Sequence, residues 1–160
     1  MKKVLLMLFL VLVLVLAGCG KDDAEDKKGT SNESGQTAYK LNPIEDVELR
    51  YEGFGDINER SAMSVRVFNR TDKRILCSTW FVIEKQENGS WKELPVKKEP
   101  AFSEEDVNTI PEQINTEVVY KWKEIYGELS SGHYRIVLQI TFKDEDDGIK
   151  HYMAAEFDVK

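Results

Sequence analysis

Apolar and polar residues alternate with a period of two through most of the chain from about residue 41 onward. In DVELRYEG, Val47, Leu49 and Tyr51 share one side while Glu48 and Arg50 share the other, and SAMSVRVFN repeats the scheme with Met63, Val65 and Val67. HYRIVLQITFK is the longest such run, with Tyr134, Ile136, Leu138, Ile140 and Phe142 on one face and Val137 as the only apolar residue on the other. A period of two is the signature of a strand with one buried face. The pattern predicts strands at about 46–52, 62–69, 74–86, 90–96, 106–110, 116–123, 133–143 and 149–159. Helical periodicity is absent, apart from a single turn that Ser103 to Asp106 could cap. Many short strands separated by turn signals predict an all-β fold, an antiparallel sandwich of seven or eight strands.

Two turns set registers. Asn88-Gly89 has the composition of a two-residue type I′ hairpin, which needs positive φ at both positions. It would pair Ile83 with Leu94 and Phe81 with Val96, turning Trp80, Val82 and Trp91 outward as a candidate binding surface. The competing expectation is that the segment from Lys97 to Gln113, with Pro100, Phe102 and Pro111, folds over that face. Asp147-Gly148 in the last hairpin would pair Phe142 with Met153, Ile140 with Ala155, Leu138 with Phe157 and Ile136 with Val159. Tyr120 and Trp122 read as core.

The first forty residues follow different patterning. Lys2 and Lys3 precede fourteen apolar residues, Val4 to Ala17. Such a run is shorter than the roughly 20 residues of a membrane span and suits the hydrophobic region of an export signal. It ends in Leu16-Ala17-Gly18-Cys19, which resembles the lipobox of bacterial lipoproteins. That resemblance implies cleavage between Gly18 and Cys19 and a diacylglyceryl group on the Cys19 thiol. Each buried CH₂ of an acyl chain contributes roughly 0.8 kcal/mol to membrane attachment, so two chains make a stable tether. The segment from Lys21 to about Tyr39 is charged, then rich in Gly, Ser, Thr and Asn, too polar to offset its ordering entropy. A coil of that length spans roughly 25 Å. The division expected is a signal peptide at 1–18, a lipidated cysteine and linker at 19–40, and a sandwich domain at 41–160, held at the extracytoplasmic face of the cell membrane.

Charge and composition narrow the function. The chain carries 22 Lys+Arg against 29 Asp+Glu, a formal charge of −7, and removal of Lys2 and Lys3 takes it to −9. Clustered cations for a phosphate backbone are missing, which argues against nucleic acid. Cys19 and Cys77 are the only cysteines, and with Cys19 acylated, Cys77 has no partner and reads as a small apolar core residue. His133 and His151 fall at opposite ends of the last hairpin in the register above, too far apart to share a metal. Lys143-Asp-Glu-Asp-Asp-Gly148 gathers carboxylates in a turn, but Gly148 falls at the fifth position rather than the sixth that a calcium loop requires. No nucleophile elbow or phosphate-binding loop is present. The reading is of no enzyme, no metal and no cofactor.

Leu129-Ser-Ser-Gly132-His-Tyr134 has the spacing of a tyrosine corner, in which a Tyr opening the penultimate strand bonds the backbone a few residues upstream. EKQENGSWKELP, YGELSSGHYRIV and the terminal AAEFDV together resemble the bacterial immunoglobulin-like domain of small lipoproteins and surface proteins, over nearly all of residues 44–159. Ser131 stands where Pro is frequent in such corners. The resemblance implies an extracytoplasmic sandwich with a binding or spacer role and no shared catalytic residues. The function expected is a noncatalytic, lipid-anchored binding or accessory domain that meets a protein or a cell-wall polymer. The alternative is an inhibitor or immunity-type lipoprotein that blocks a peptidase or toxin through the acidic stretch from Lys97 to Pro111.

Overall fold

A computed structural model describes residues 39–54, 61–101, 106–144 and 149–160. In chain order the strands are β1 (Val47–Phe54), β2 (Met63–Asn69), β3 (Ile75–Glu87), β4 (Ser90–Glu93), β5 (Val107–Ile110), β6 (Asn115–Tyr120), β7 (Gly132–Phe142) and β8 (His151–Val159). A single helical turn, α1 (Lys123–Tyr126), follows β6. One sheet has the order β1-β2-β6, and the other β4-β3-β7-β8 with β5 also on β3. Every pairing is antiparallel. The two sheets face each other as a sandwich, as the alternation predicts.

The inward faces are those marked by the period of two. Met63, Val65 and Val67 of β2 pack with Ile75, Cys77, Phe81 and Ile83 of β3 and with Tyr134, Ile136, Leu138 and Ile140 of β7, all buried in one cluster. Burial of each such side chain contributes about 1.5–3 kcal/mol. Tyr120 and Trp122 belong to the same core. The predicted strand at 116–123 ends earlier, at Tyr120, and α1 then turns Ile125 and Tyr126 inward as well. Gly127, at φ 75°, stops that turn in a conformation favouring glycine.

The first hairpin has the predicted register, with Glu84 opposite Glu93 and Glu87 opposite Ser90, and the Leu94 amide donates to the Ile83 carbonyl. Asn88 and Gly89 adopt φ 52° and 78°, as the two-residue turn demands. The ladder stops there, however. Pro95 has no amide hydrogen to continue it, and Val96 is exposed rather than paired with Phe81.

The last hairpin departs from the expected register. Ile140 pairs with His151, Leu138 with Met153 and Ile136 with Ala155, so each β7 residue meets a β8 residue four earlier than a tight Asp147-Gly148 turn would set. The pairing of β7 with β8 therefore stops at Ile140 and His151, short of the expected two-residue turn. Phe142 pairs instead with Ile75 on β3. Inward and outward faces are unchanged, because the shift is even. Residues 145–148, including Gly148 and most of the acidic turn, lie outside the described residues, as do Cys19, Gly18 and the linker up to residue 38.

Candidate binding face

The outer face of the five-stranded sheet carries the residues predicted to form a surface, and the structure places them unequally. Val82 is only 2% exposed. It lies against Val137 and Tyr39, with Leu41, Trp80, Tyr152 and Ala154 packed around them. A segment at Tyr39 thus covers this face, while Glu99 and Pro100 of the stretch from Lys97 lie beside Trp80 and Val82 and its Phe102 is outside the described residues. Tyr39 meets Trp80 edge-on at 5.5 Å between ring centroids and Tyr152 at 5.1 Å. Asn42 ties that segment down: its amide donates to the Tyr152 carbonyl and its side-chain oxygen accepts from the Tyr152 amide. Trp80 and Trp91 are both half-buried, Trp80 against the Tyr39 cluster and Trp91 against Arg135 and His133.

Trp91 belongs to a charged array further along the same face. The register places Glu93 of β4, Glu84 of β3, Arg135 of β7 and Glu156 of β8 side by side in one row. Arg135 Nε donates to Glu84 Oε2 at 2.5 Å, with Glu84 fully buried and Arg135 nearly so. The Arg135 guanidinium lies 4.5 Å from the centroid of the Trp91 ring, a cation–π contact. Trp91 in turn packs on His133 at 5.4 Å. His133 lies between two carboxylates, Nδ1 2.9 Å from Asp158 and Nε2 3.1 Å from Glu156. The Asp158 hydrogen bond, with Glu156 helping, raises its pKa above the ordinary imidazole value.

Two carboxylate atoms in this row lack partners among the described residues: Glu84 Oε1 and Glu93 Oε2 are buried with no hydrogen bond. Burial and the neighbouring Glu84 charge push the Glu93 carboxyl above its ordinary pKa. Alternating polar residues on β3, β4 and β7 place these side chains outward, but alternation does not mark Glu84 as buried, since a strand's outer face normally keeps its charges in water.

The remaining sequence candidates have structural roles. The Tyr134 hydroxyl donates to the Ser130 carbonyl at 2.7 Å, forming the predicted corner. Lys85 Nζ caps it, bonding Ser130 Oγ at 2.7 Å and lying 5.4 Å from the Tyr134 ring centroid. Cys77 is buried and free, its Sγ 3.3 Å from the Tyr120 hydroxyl, and burial pushes its thiol up to about 11. A thiol so protonated is a poor nucleophile. Among the described residues no three of His, Cys, Asp and Glu are grouped to hold a metal ion. The acidic stretch from Lys97 is strand at its far end, where Val107 to Ile110 pair with Ile75 to Ser78.

Two facing antiparallel sheets, a long central β3 shared by β4 and β5, and a tyrosine corner at the start of β7 define an immunoglobulin-type sandwich. The chain belongs to the bacterial Ig-like domain family, whose model matches residues 46–158. No curated protein and no solved structure matches it.

Proposed function

We propose that the protein is a noncatalytic binding or accessory domain, anchored by a diacylglyceryl group on Cys19 at the extracytoplasmic face of the cell membrane, where it engages a protein or a cell-envelope polymer. Membership of the bacterial Ig-like family supports a noncatalytic, extracellular-type module. The observation that carries the anchored reading is Leu16-Ala17-Gly18-Cys19 placed directly after Lys2, Lys3 and fourteen apolar residues. A thiol at that point is the nucleophile that the lipid transfer requires, and small residues before it admit a peptidase close to the bilayer.

Mass spectrometry of the protein isolated from membranes tests this reading. The expected product begins at Cys19 and carries an acyl-glyceryl adduct on it. An amino terminus at Met1, or an unmodified Cys19, overturns the anchor. Crosslinking in intact envelopes followed by identification of the captured species tests the binding role, and failure to crosslink anything reproducibly counts against it.

A further inference from the structure

Glu84 and Glu93 stand directly opposite one another where β4 closes on β3. Because the Leu94 amide donates to the Ile83 carbonyl, the adjoining Glu84/Glu93 pair is one without ladder hydrogen bonds of its own. In such a pair the Cα atoms are about 4.5 Å apart and the two side chains come closest. Glu84 is fully buried, and Glu84 Oε1 and Glu93 Oε2 are both shielded from water with no hydrogen-bond partner among the described residues.

Charged and titratable groups reach this pair from several elements. From β7, Arg135 is bonded to the other oxygen of Glu84, Oε2. Glu156 of β8, next in the row, is bonded to His133. From α1, the Tyr126 hydroxyl donates to the Phe81 carbonyl, and burial, with Glu93 and Glu84 adding, keeps it protonated. Glu99 shares a small crevice with Glu93, while Lys92 and Lys98 are engaged by Glu87 and Glu124. One guanidinium thus serves two carboxyl groups.

We propose that Glu93 is a carboxylic acid in the folded protein and donates its proton to Glu84, so that the pair closes β4 on β3 as a pH-sensitive latch. Two buried carboxylates side by side repel, and neither can donate. A single proton between them removes one charge and supplies the missing donor. Glu84, Glu93 and Arg135 together are then neutral. Burial, with the Glu84 charge adding, raises the Glu93 carboxyl above its ordinary value. Loss of the proton to solvent leaves two negative charges against one guanidinium, at the end of the hairpin where Pro95 stops the ladder. β4 then loosens from that end, carrying Trp91 away from Arg135. The latch belongs to the hairpin itself and is independent of the acyl anchor and of any partner.

The test uses the full-length chain in detergent micelles, with isotope-labelled glutamate carboxyls titrated by NMR and the Glu93 signal assigned through its own backbone. The Glu93 midpoint is expected to be higher in the folded chain than in the chain unfolded by urea. With the folded value raised, the contribution of Glu93 to stability is full below the unfolded value and is lost as pH rises through the folded one. Glu93→Gln keeps a donor and cannot ionise, so its thermal midpoint should gain on that of the wild type between about pH 4 and about pH 8. His133 titrates in both proteins and cancels in the difference. Glu93→Met has similar length and no donor, and should melt about 5 °C below Glu93→Gln at about pH 4. Three results each overturn the proposal: a Glu93 midpoint at or below the unfolded one, a Glu93→Gln midpoint that runs parallel to the wild type across that range, or a Glu93→Met variant at least as stable as Glu93→Gln. The first is read on the wild type, so it stands even where a variant fails to fold.

Discussion

At the scale of single residues, the corner tyrosine and the paired histidine give the clearest consequences. Tyr134 is almost fully buried and spends its hydroxyl on one backbone carbonyl four residues back. Tyr134→Phe keeps the ring and loses that bond, so it should destabilise the fold by about 1 kcal/mol, read as a lower urea midpoint with an unchanged slope. His133 behaves differently because it titrates. Its folded-state pKa lies above the ordinary 6.5, first through Asp158 and then through Glu156. Stabilisation from the imidazolium is therefore fully present below the unfolded pKa and lost as pH rises through the raised folded one. His133→Gln should lower the thermal midpoint more at about pH 5.5 than in alkaline solution, the difference shrinking as the wild-type ring loses its proton. The effect will be small, since the side chain is about a third exposed and solvent screens it.

At the scale of strands, the two hairpins explain what alternation can and cannot specify. Asn88-Gly89 closes its hairpin in two residues, which leaves one register open, and that register is present. Between β7 and β8 the alternation was equally clear, but sliding a strand by two residues returns every side chain to the same face. Pattern alone therefore assigned the core faces of Ile136, Leu138 and Ile140 correctly and mispaired them across the ladder. The buried Glu84 was hidden for a related reason: its outward parity was legible, whereas the packing of Arg135 and Trp91 over it depends on side chains from two other strands. Loss of Arg135 leaves a buried, uncompensated carboxylate, so Arg135→Ala should cost about 3–5 kcal/mol. Replacing Glu84 and Arg135 together by Met should cost much less than that single change, because no charge is then stranded. Chemical denaturation of the two variants beside the wild type measures the difference, and equal losses would show that the row matters through packing instead.

For the molecule as a whole, the decisive feature is where the amino-terminal segment joins the sandwich. Tyr39 sits in a stretch whose composition reads as linker, and nothing in its local pattern marks it as packed; the partners that bury it, Trp80, Val82, Val137 and Tyr152, come from three separate strands. The chain therefore enters the domain across the outer face of the β4-β3-β7-β8 sheet, beside Trp80. On the anchored reading, that entry point sets which surface the tether holds toward the bilayer and which it leaves free. The contact should also carry measurable stability. Tyr39→Ala removes an aromatic ring that is 8% exposed, and at about 25 cal/mol per Å² of apolar area the loss is about 2 kcal/mol. Trp80 would lose its edge-on partner and gain water, so its fluorescence should shift to the red and be quenched more readily by iodide. The far-ultraviolet dichroism should stay unchanged, because β1 to β8 and the inner core do not depend on Tyr39. A variant with wild-type emission and wild-type stability would mean that the segment is not held on this face in solution, and the tether would then approach the sandwich from no fixed side.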